Sequence, residues 1–314
     1  DAGILARYAA PIKLSGAGPH NVAFFSTDLL GHAEASQSRR LVIDDSPPLT
    51  TVSVSTPTFG AYISPRTTLK LAAQDPPSGD VPGSGLAKVL YAIGGGGLSQ
   101  GPLEFGLTGP DGTYELSYQA QDNLGNLEAL QKKLYSLDGT APVTAISFNG
   151  PHMLQSAGSG AVPEEAGVFI ASTTQLVLTA ADPMTADMAS GVKATVYRVD
   201  AGAWLDYAGP FALAAAGLHT VEWRSTDQVE NTEAVKLMKI AVDAAAPVAA
   251  ISLGDPKFTA FGLDVLSPAS LISLSALDQV AAGVAAGVQD ILYRVDAGQP
   301  NTYAAAFTLP EGTH

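Results

Sequence analysis

The chain repeats itself, and a repeat restricts the fold severely, because one local structural solution has to serve every copy. His219–Pro247 reads HTVEWRSTDQVENTEAVKLMKIAVDAAAP; it aligns with Tyr114–Pro142, YELSYQAQDNLGNLEALQKKLYSLDGTAP, and with His20–Pro47, HNVAFFSTDLLGHAEASQSRRLVIDDSP. Asp28, Asp122 and Asp227 lie 94 and 105 residues apart, and Asp44, Asp138 and Asp243 keep the same two intervals. The other half of the unit recurs as well. Val192–Gly202 (VKATVYRVDAG) matches Val288–Gly298 (VQDILYRVDAG), with Ala87–Gly95 as a weaker copy. Leu69–Asp75, Leu176–Asp182 and Ile272–Asp278 form a third set, LxLxAxD.

Each recurring piece has the pattern of a strand. In HTVEWRS, Val221 and Trp223 alternate with Thr220, Glu222 and Arg224, a period of two that places one set inward and the other outward. Leu116 and Tyr118, then Val22 and Phe24, occupy the equivalent inward sites, as do Leu41/Ile43, Tyr135/Leu137 and Ile240/Val242 in the closing strand. No segment carries a 3.6-residue apolar period, and the Ala-rich stretch Ala276–Gly287 falls where other copies have a loop. About seven short strands per repeat predict an all-β fold, a tandem array of immunoglobulin-like β-sandwich domains.

In this register, residues 1–47 are the C-terminal part of a repeat, 48–142 and 143–247 are complete repeats, and 248–314 is the N-terminal part of another. The two ends overlap in phase, since 1–20 matches 296–314. A window cut from a longer array accounts for that overlap better than completion of one chain's last fragment by the next chain's first. The junctions DDSPP, DGTAP and DAAAP have little slack, and proline limits bending, so a semi-rigid rod is expected.

Composition narrows the function. A net charge of −14 argues against nucleic acid, whose phosphates need a basic face. The absence of cysteine removes disulfides, thiolate nucleophiles and Cys-bound zinc. No apolar run approaches the roughly 18 residues that span a bilayer, so no membrane insertion is expected of this segment. The Gly94–Gly97 run follows a strand and reads as a hairpin loop, because a phosphate cradle needs a helix N-terminus behind it.

The order LxLxAxD, SGVxxxxYRVDAG, YxxPF, GxHTVEWRSTDxxxN-x-E and VDxxAP resembles bacterial Ig-like or fibronectin-III-like tandem repeats of large secreted or surface proteins. It is also similar to the sandwich module at the C-terminus of chitobiase-type enzymes. The resemblance covers essentially the whole chain and implies a fold more than a function. It implies an extracellular or cell-surface, bacterial, non-enzymatic structural protein: a stalk, fibre or surface filament. Its partners would be neighbouring repeats and other copies of itself. The alternative is an adhesin or carbohydrate-binding array, with recognition in variable loops such as 149–172.

Candidate chemistry is sparse. His20, His219 and His314 are repeat equivalents of Tyr114, an exchange that a catalytic or ligating histidine would not tolerate. No nucleophile elbow is present, and acids that suggest glycosidase carboxylates recur at turns, where Asp and Asn form Asx-turns. Trp223 is assigned to the core, and Trp204 has no evident aromatic partner for a sugar platform. No catalytic residue and no organic cofactor is expected. Calcium is the one ligand hypothesis, resting on hard oxygen ligands at domain junctions. Asp75 and Asp80 follow one LxLxAxD strand, Asp182 and Asp187 the next, and Asp138 and Asp243 sit in the linkers beside Asp44 and Asp45. The D-x-x-x-N turn drifts, with His32 for Asn and Glu230 for Gly, which argues against giving it a strict metal role.

Overall fold

The computed structural model describes residues 5–77, 80, 82–155, 161–163 and 165–314. These residues contain strands and turns and no helix, so the chain is all-β, built of immunoglobulin-like two-sheet sandwiches in tandem. None of the described residues forms a helix long and apolar enough to cross a membrane. The chain divides into two compact units. The first is 1–141 together with the loops 182–191 and 227–231, and the second is 142–181, 192–226 and 232–314.

In the first unit, strands Leu49–Val54, Thr68–Gln74 and Glu104–Gly106 form one antiparallel sheet. The facing sheet runs Thr58–Phe59, Tyr62–Ile63, Gln131–Leu137, Gly112–Asp122, Leu86–Ile93. Tyr62–Ile63 lies parallel to Gln131–Leu137, so the chain enters in one sheet and crosses to the other within a few residues. Leu69 and Leu71 from one sheet pack with Val89, Leu116, Tyr118, Ala120 and Leu137 from the other. Lys70 between the two leucines faces water, as period-two alternation requires. The hairpin Gly18–Phe24 with Gln37–Ile43 precedes this sandwich in the same unit.

The second unit repeats the plan. Val143–Asn149, Gln175–Ala181 and Phe211–Ala212 make the smaller sheet. The larger sheet is ordered His152–Leu154, Val168–Ala171, Lys236–Asp243, Gly217–Asp227, Val192–Val199, Leu205–Asp206. Leu176, Leu178, Val221, Trp223, Ile240 and Val242 form its core, with Trp223 only 4% exposed. A further apolar cluster joins Ala161, Ala166, Phe169 and Ala241 to Val284 of the Ala-rich stretch. That stretch is a turn, closed by a bridge between Ala281 and Val284 and paired to Val162 through Ala285. Val248–Leu253 with Ile272–Leu277, and the short pairs Lys257–Ala260 with Leu263–Leu266 and Leu292–Tyr293 with Asn301–Thr302, complete the unit.

The Gly-rich run is a hairpin turn. Gly94 and Gly95 have φ of 70° and 79°, and Tyr91 and Ser99 exchange both backbone hydrogen bonds across it. The first YRVDAG copy makes the same turn with Asp200 and Ala201 at φ of 51° and 57°, closed by Gly202 N–H to Val199 C=O at 2.9 Å. Two consecutive positive φ values match the right-handed twist of the flanking strands.

Candidate functional site

Strand parity brings carboxylates together at one end of each sandwich. In Gly112–Asp122 the inward residues Leu116, Tyr118 and Ala120 are followed in phase by Asp122, 2% exposed. Asp75 follows Leu69, Leu71 and Ala73 in the same phase on the facing sheet. The last inward position of both sheets is thus an acid, and Asp44 from the preceding linker closes the group. One carboxylate oxygen from each of Asp44, Asp75 and Asp122 lies within 4.8 Å of the others.

The backbone around them is arranged to donate. Ser84 N–H bonds Asp44 Oδ2 at 2.6 Å, and Gly85 N–H bonds Asp75 Oδ2 at 2.7 Å. Gly85 has φ +88°, a conformation that suits glycine and turns its N–H towards the aspartate. Asp122 Oδ1 accepts from the N–H of Leu124 and Asn126. The Asn126 amide donates both to Asp122 Oδ2 at 2.7 Å and to the carbonyl of Asp44 at 3.0 Å. Burial pushes the Asp122 carboxyl up, yet the bonds from Asn126, Ser84 and the backbone outweigh it and hold the group below its ordinary value.

The second group, Asp138, Asp182 and Asp227, is built the same way and also lies within the first unit. Ser190 N–H bonds Asp138 Oδ2 and Gly191 N–H bonds Asp182 Oδ2, both at 2.7 Å. Asn231 donates to Asp227 Oδ2 and to the Asp138 carbonyl. Asp138 and Asp227 are 0% exposed. Here burial, reinforced by the neighbouring charges of Asp138, Asp227 and Asp111, pushes Asp182 above its ordinary value. Burial raises Asp227 too, and the Asn231 hydrogen bonds only partly oppose it. Among the described residues, no ion pair involves any of these six carboxylates.

A third linker follows the pattern in part. Asp243 Oδ2 accepts from Ala286 N–H at 2.8 Å and Asp278 Oδ2 from Gly287 N–H at 2.7 Å. The position matching Asp227 falls beyond residue 314 in the repeat register. Of the acids singled out in the sequence, Asp75, Asp138 and Asp182 enter a triad and Asp243 enters this pair. Asp80 and Asp187 are exposed and stand outside the triads. Asp122 and Asp227 are the members sequence reasoning set aside because of drift in their turn. The signal that reveals them is parity: each lies an even number of residues beyond a core position of its strand. In both complete triads the turn keeps its asparagine, Asn126 and Asn231.

A second recurrent carboxylate is structural. Glu128, 5% exposed, accepts from Thr50 N–H at 2.9 Å, from the Thr50 hydroxyl and from Ala120 N–H at 3.0 Å. Glu233 binds Thr144 and Ser225 N–H in the same manner. Each ties the first strand of its repeat to the opposite sheet. Two repeat-equivalent histidines are engaged at both ring nitrogens: His219 with Asp200 Oδ2 and the Ala215 carbonyl, His314 with Asp296 Oδ2 and the Pro310 carbonyl. Trp204 has the guanidinium groups of Arg198 and Arg224 about 5 Å from its ring centre, in cation–π contact. Of loop 149–172, residues 156–160 and 164 lie outside the described residues. Its segments 151–153 and 169–171, His152, Met153 and Phe169 among them, line an open pocket of about 330 Å³ together with Asp243 and Gln289.

No protein-family model and no curated protein matches the chain. Among solved structures it is similar to the fibronectin(III)-like modules of Clostridium thermocellum CbhA. The identity is 14% and the TM-score 0.30, over 62% of this chain and 95% of that one. A likeness of this degree bears on neither family nor function.

Proposed function

We propose that this chain is a segment of a non-enzymatic, extracellular structural protein, a run of Ig-like repeats in a stalk, fibre or surface filament. The observation that carries the reading is the repeated linker. Asp44, Asp138 and Asp243 each accept an N–H from the loop two residues or fewer before a left-handed glycine, and Asn126 and Asn231 each hold a linker carbonyl. A linker fixed in the same way at successive positions serves a geometric role, and the rest of each repeat is a sandwich core. His219 and His314 support a non-catalytic role, since a ring engaged at both nitrogens has none left to activate a nucleophile. Asp138 and Asp227 are closed to any substrate. The test is electron microscopy of the native material with mass spectrometry of the same sample. Uniform filaments or rods built of this chain are expected; a compact soluble species with turnover on a substrate would sink the reading.

One observation favours a second reading, a binding array. The pocket beside loop 149–172 combines His152, Asp243 and Gln289 with apolar Met153 and Phe169, a mixture suited to a small polar ligand or sugar. A glycan-array signal that disappears when this loop is shortened would move the assignment from scaffold to adhesin.

A further inference from the structure

We propose that each of the two triads, Asp44–Asp75–Asp122 and Asp138–Asp182–Asp227, binds one calcium ion, with the hydroxyls of Ser84 and Ser190 as a fourth protein ligand. Each triad places three carboxylate oxygens within 4.8 Å of one another, a span equal to the diameter of a calcium coordination sphere with bonds of about 2.4 Å. All donors are hard oxygens, the set that calcium selects over softer metals.

An acidic cluster alone would not carry this; the orphaned atoms do. Among the described residues, four buried side-chain atoms lack a hydrogen-bond partner, and three of them are at these two sites: Asp75 Oδ1, Asp182 Oδ1 and Ser190 Oγ. Ser190 is 7% exposed. Its own N–H and that of Gly191 donate to Asp138 and Asp182, so the backbone of Ser190 is held against two members of the triad. The equivalent Ser84 hydroxyl faces Asp75 Oδ2 at 3.5 Å. The N–H groups of Ser84, Gly85, Ser190 and Gly191 go to Oδ2 atoms, those of Ser46 and Thr140 to Asp44 and Asp138 Oδ1, and those of the Asx turns to Asp122 and Asp227, which leaves Asp75 Oδ1 and Asp182 Oδ1 buried with no donor. A buried oxygen without a donor is destabilising, and a cation satisfies several at once. The same orphan recurs at Asp75 and Asp182, in matching positions of two repeats, which random placement of acids does not produce. Three carboxylates and one hydroxyl leave the remaining calcium positions to water, so the affinity belongs with extracellular modules, on the order of 10⁻⁴–10⁻³ M.

The experiment is a calcium titration of the chelator-stripped 314-residue chain by calorimetry, with the thermal midpoint read at matched ionic strength. Two ions are expected to bind, the midpoint is expected to rise, and magnesium is expected to be weaker. Asp122→Asn and Asp227→Asn, which keep side-chain shape, should each lose one ion. Ser190→Ala should weaken one site several-fold. No heat and no midpoint shift at 100-fold above that affinity range in the wild-type chain overturns the proposal, and so does undiminished binding in the double aspartate variant. The proposal is independent of the stalk reading: filaments formed by a chain that binds no calcium would leave the one and remove the other.

Discussion

At the scale of single residues, the acids of this chain divide by their surroundings into clamps, pairs and triads. Glu128 is a clamp. Glu128→Ala strands the N–H groups of Thr50 and Ala120 in a buried site, so a loss of about 2–4 kcal/mol is expected in urea denaturation. Glu128→Gln, which keeps one acceptor, should lose less; equal losses would show that the clamp acts through volume alone. Asp200 is half of a pair with His219. Burial raises its carboxyl, but the bonds from His219 and Thr220 N–H prevail and hold it below its ordinary 3.8. A depressed acid contributes stability above its unfolded value and loses it as pH falls through the folded one. The thermal midpoint of the parent should therefore fall more steeply below pH 3.8 than that of Asp200→Asn. Parallel acid limbs would remove the pair from the stability of the fold.

At the scale of elements, the hairpin turns show where local sequence and local geometry disagree. Gly94–Gly95 takes two positive φ angles at no steric expense, while Asp200–Ala201 takes them with side chains present. Ala201→Gly should stabilise the chain by about 1 kcal/mol, because alanine in the left-handed region strains against its own carbonyl. A destabilised variant would mean that the flexibility glycine adds to the unfolded chain outweighs that relief. Strand identity was legible from alternation: Leu69/Leu71, Leu176/Leu178 and Val221/Trp223 are buried as the period predicts. The role of loop 149–172 was not legible. Phe169 packs with Val284 of the Ala-rich turn, more than a hundred residues away, and no periodicity encodes that meeting.

At the scale of the whole molecule, 30 acids against 16 bases give a net charge of −14. Like charges distributed over compact units repel, and screening relieves the repulsion within a Debye length of about 10 Å at 0.1 M salt. The thermal midpoint should rise as sodium chloride is raised from low concentration, before any calcium is added. A midpoint that falls would show that local ion pairs such as Arg198–Glu222, at 2.7 Å, outweigh the overall repulsion.

Parity and repetition in the sequence determined that the chain forms sandwiches in tandem, which residues of the two complete repeats face the core, and that Asp75, Asp182, Asp122 and Asp227 end their strands in phase with that core; Phe24 and Leu41, inward by the same parity, are exposed. These are local properties, fixed by the two-residue period of an extended backbone. Which strand ends meet was decided by tertiary structure. Asp75 and Asp122 stand on different sheets, and Asp44 arrives from the linker before them. Only the packing of one sheet on the other, with the linker drawn in by Ser84 and Asn126, brings three like charges within one ion's reach. A sequence lists acids in order; their convergence depends on long-range packing, and drift in a single turn residue was enough to disguise it.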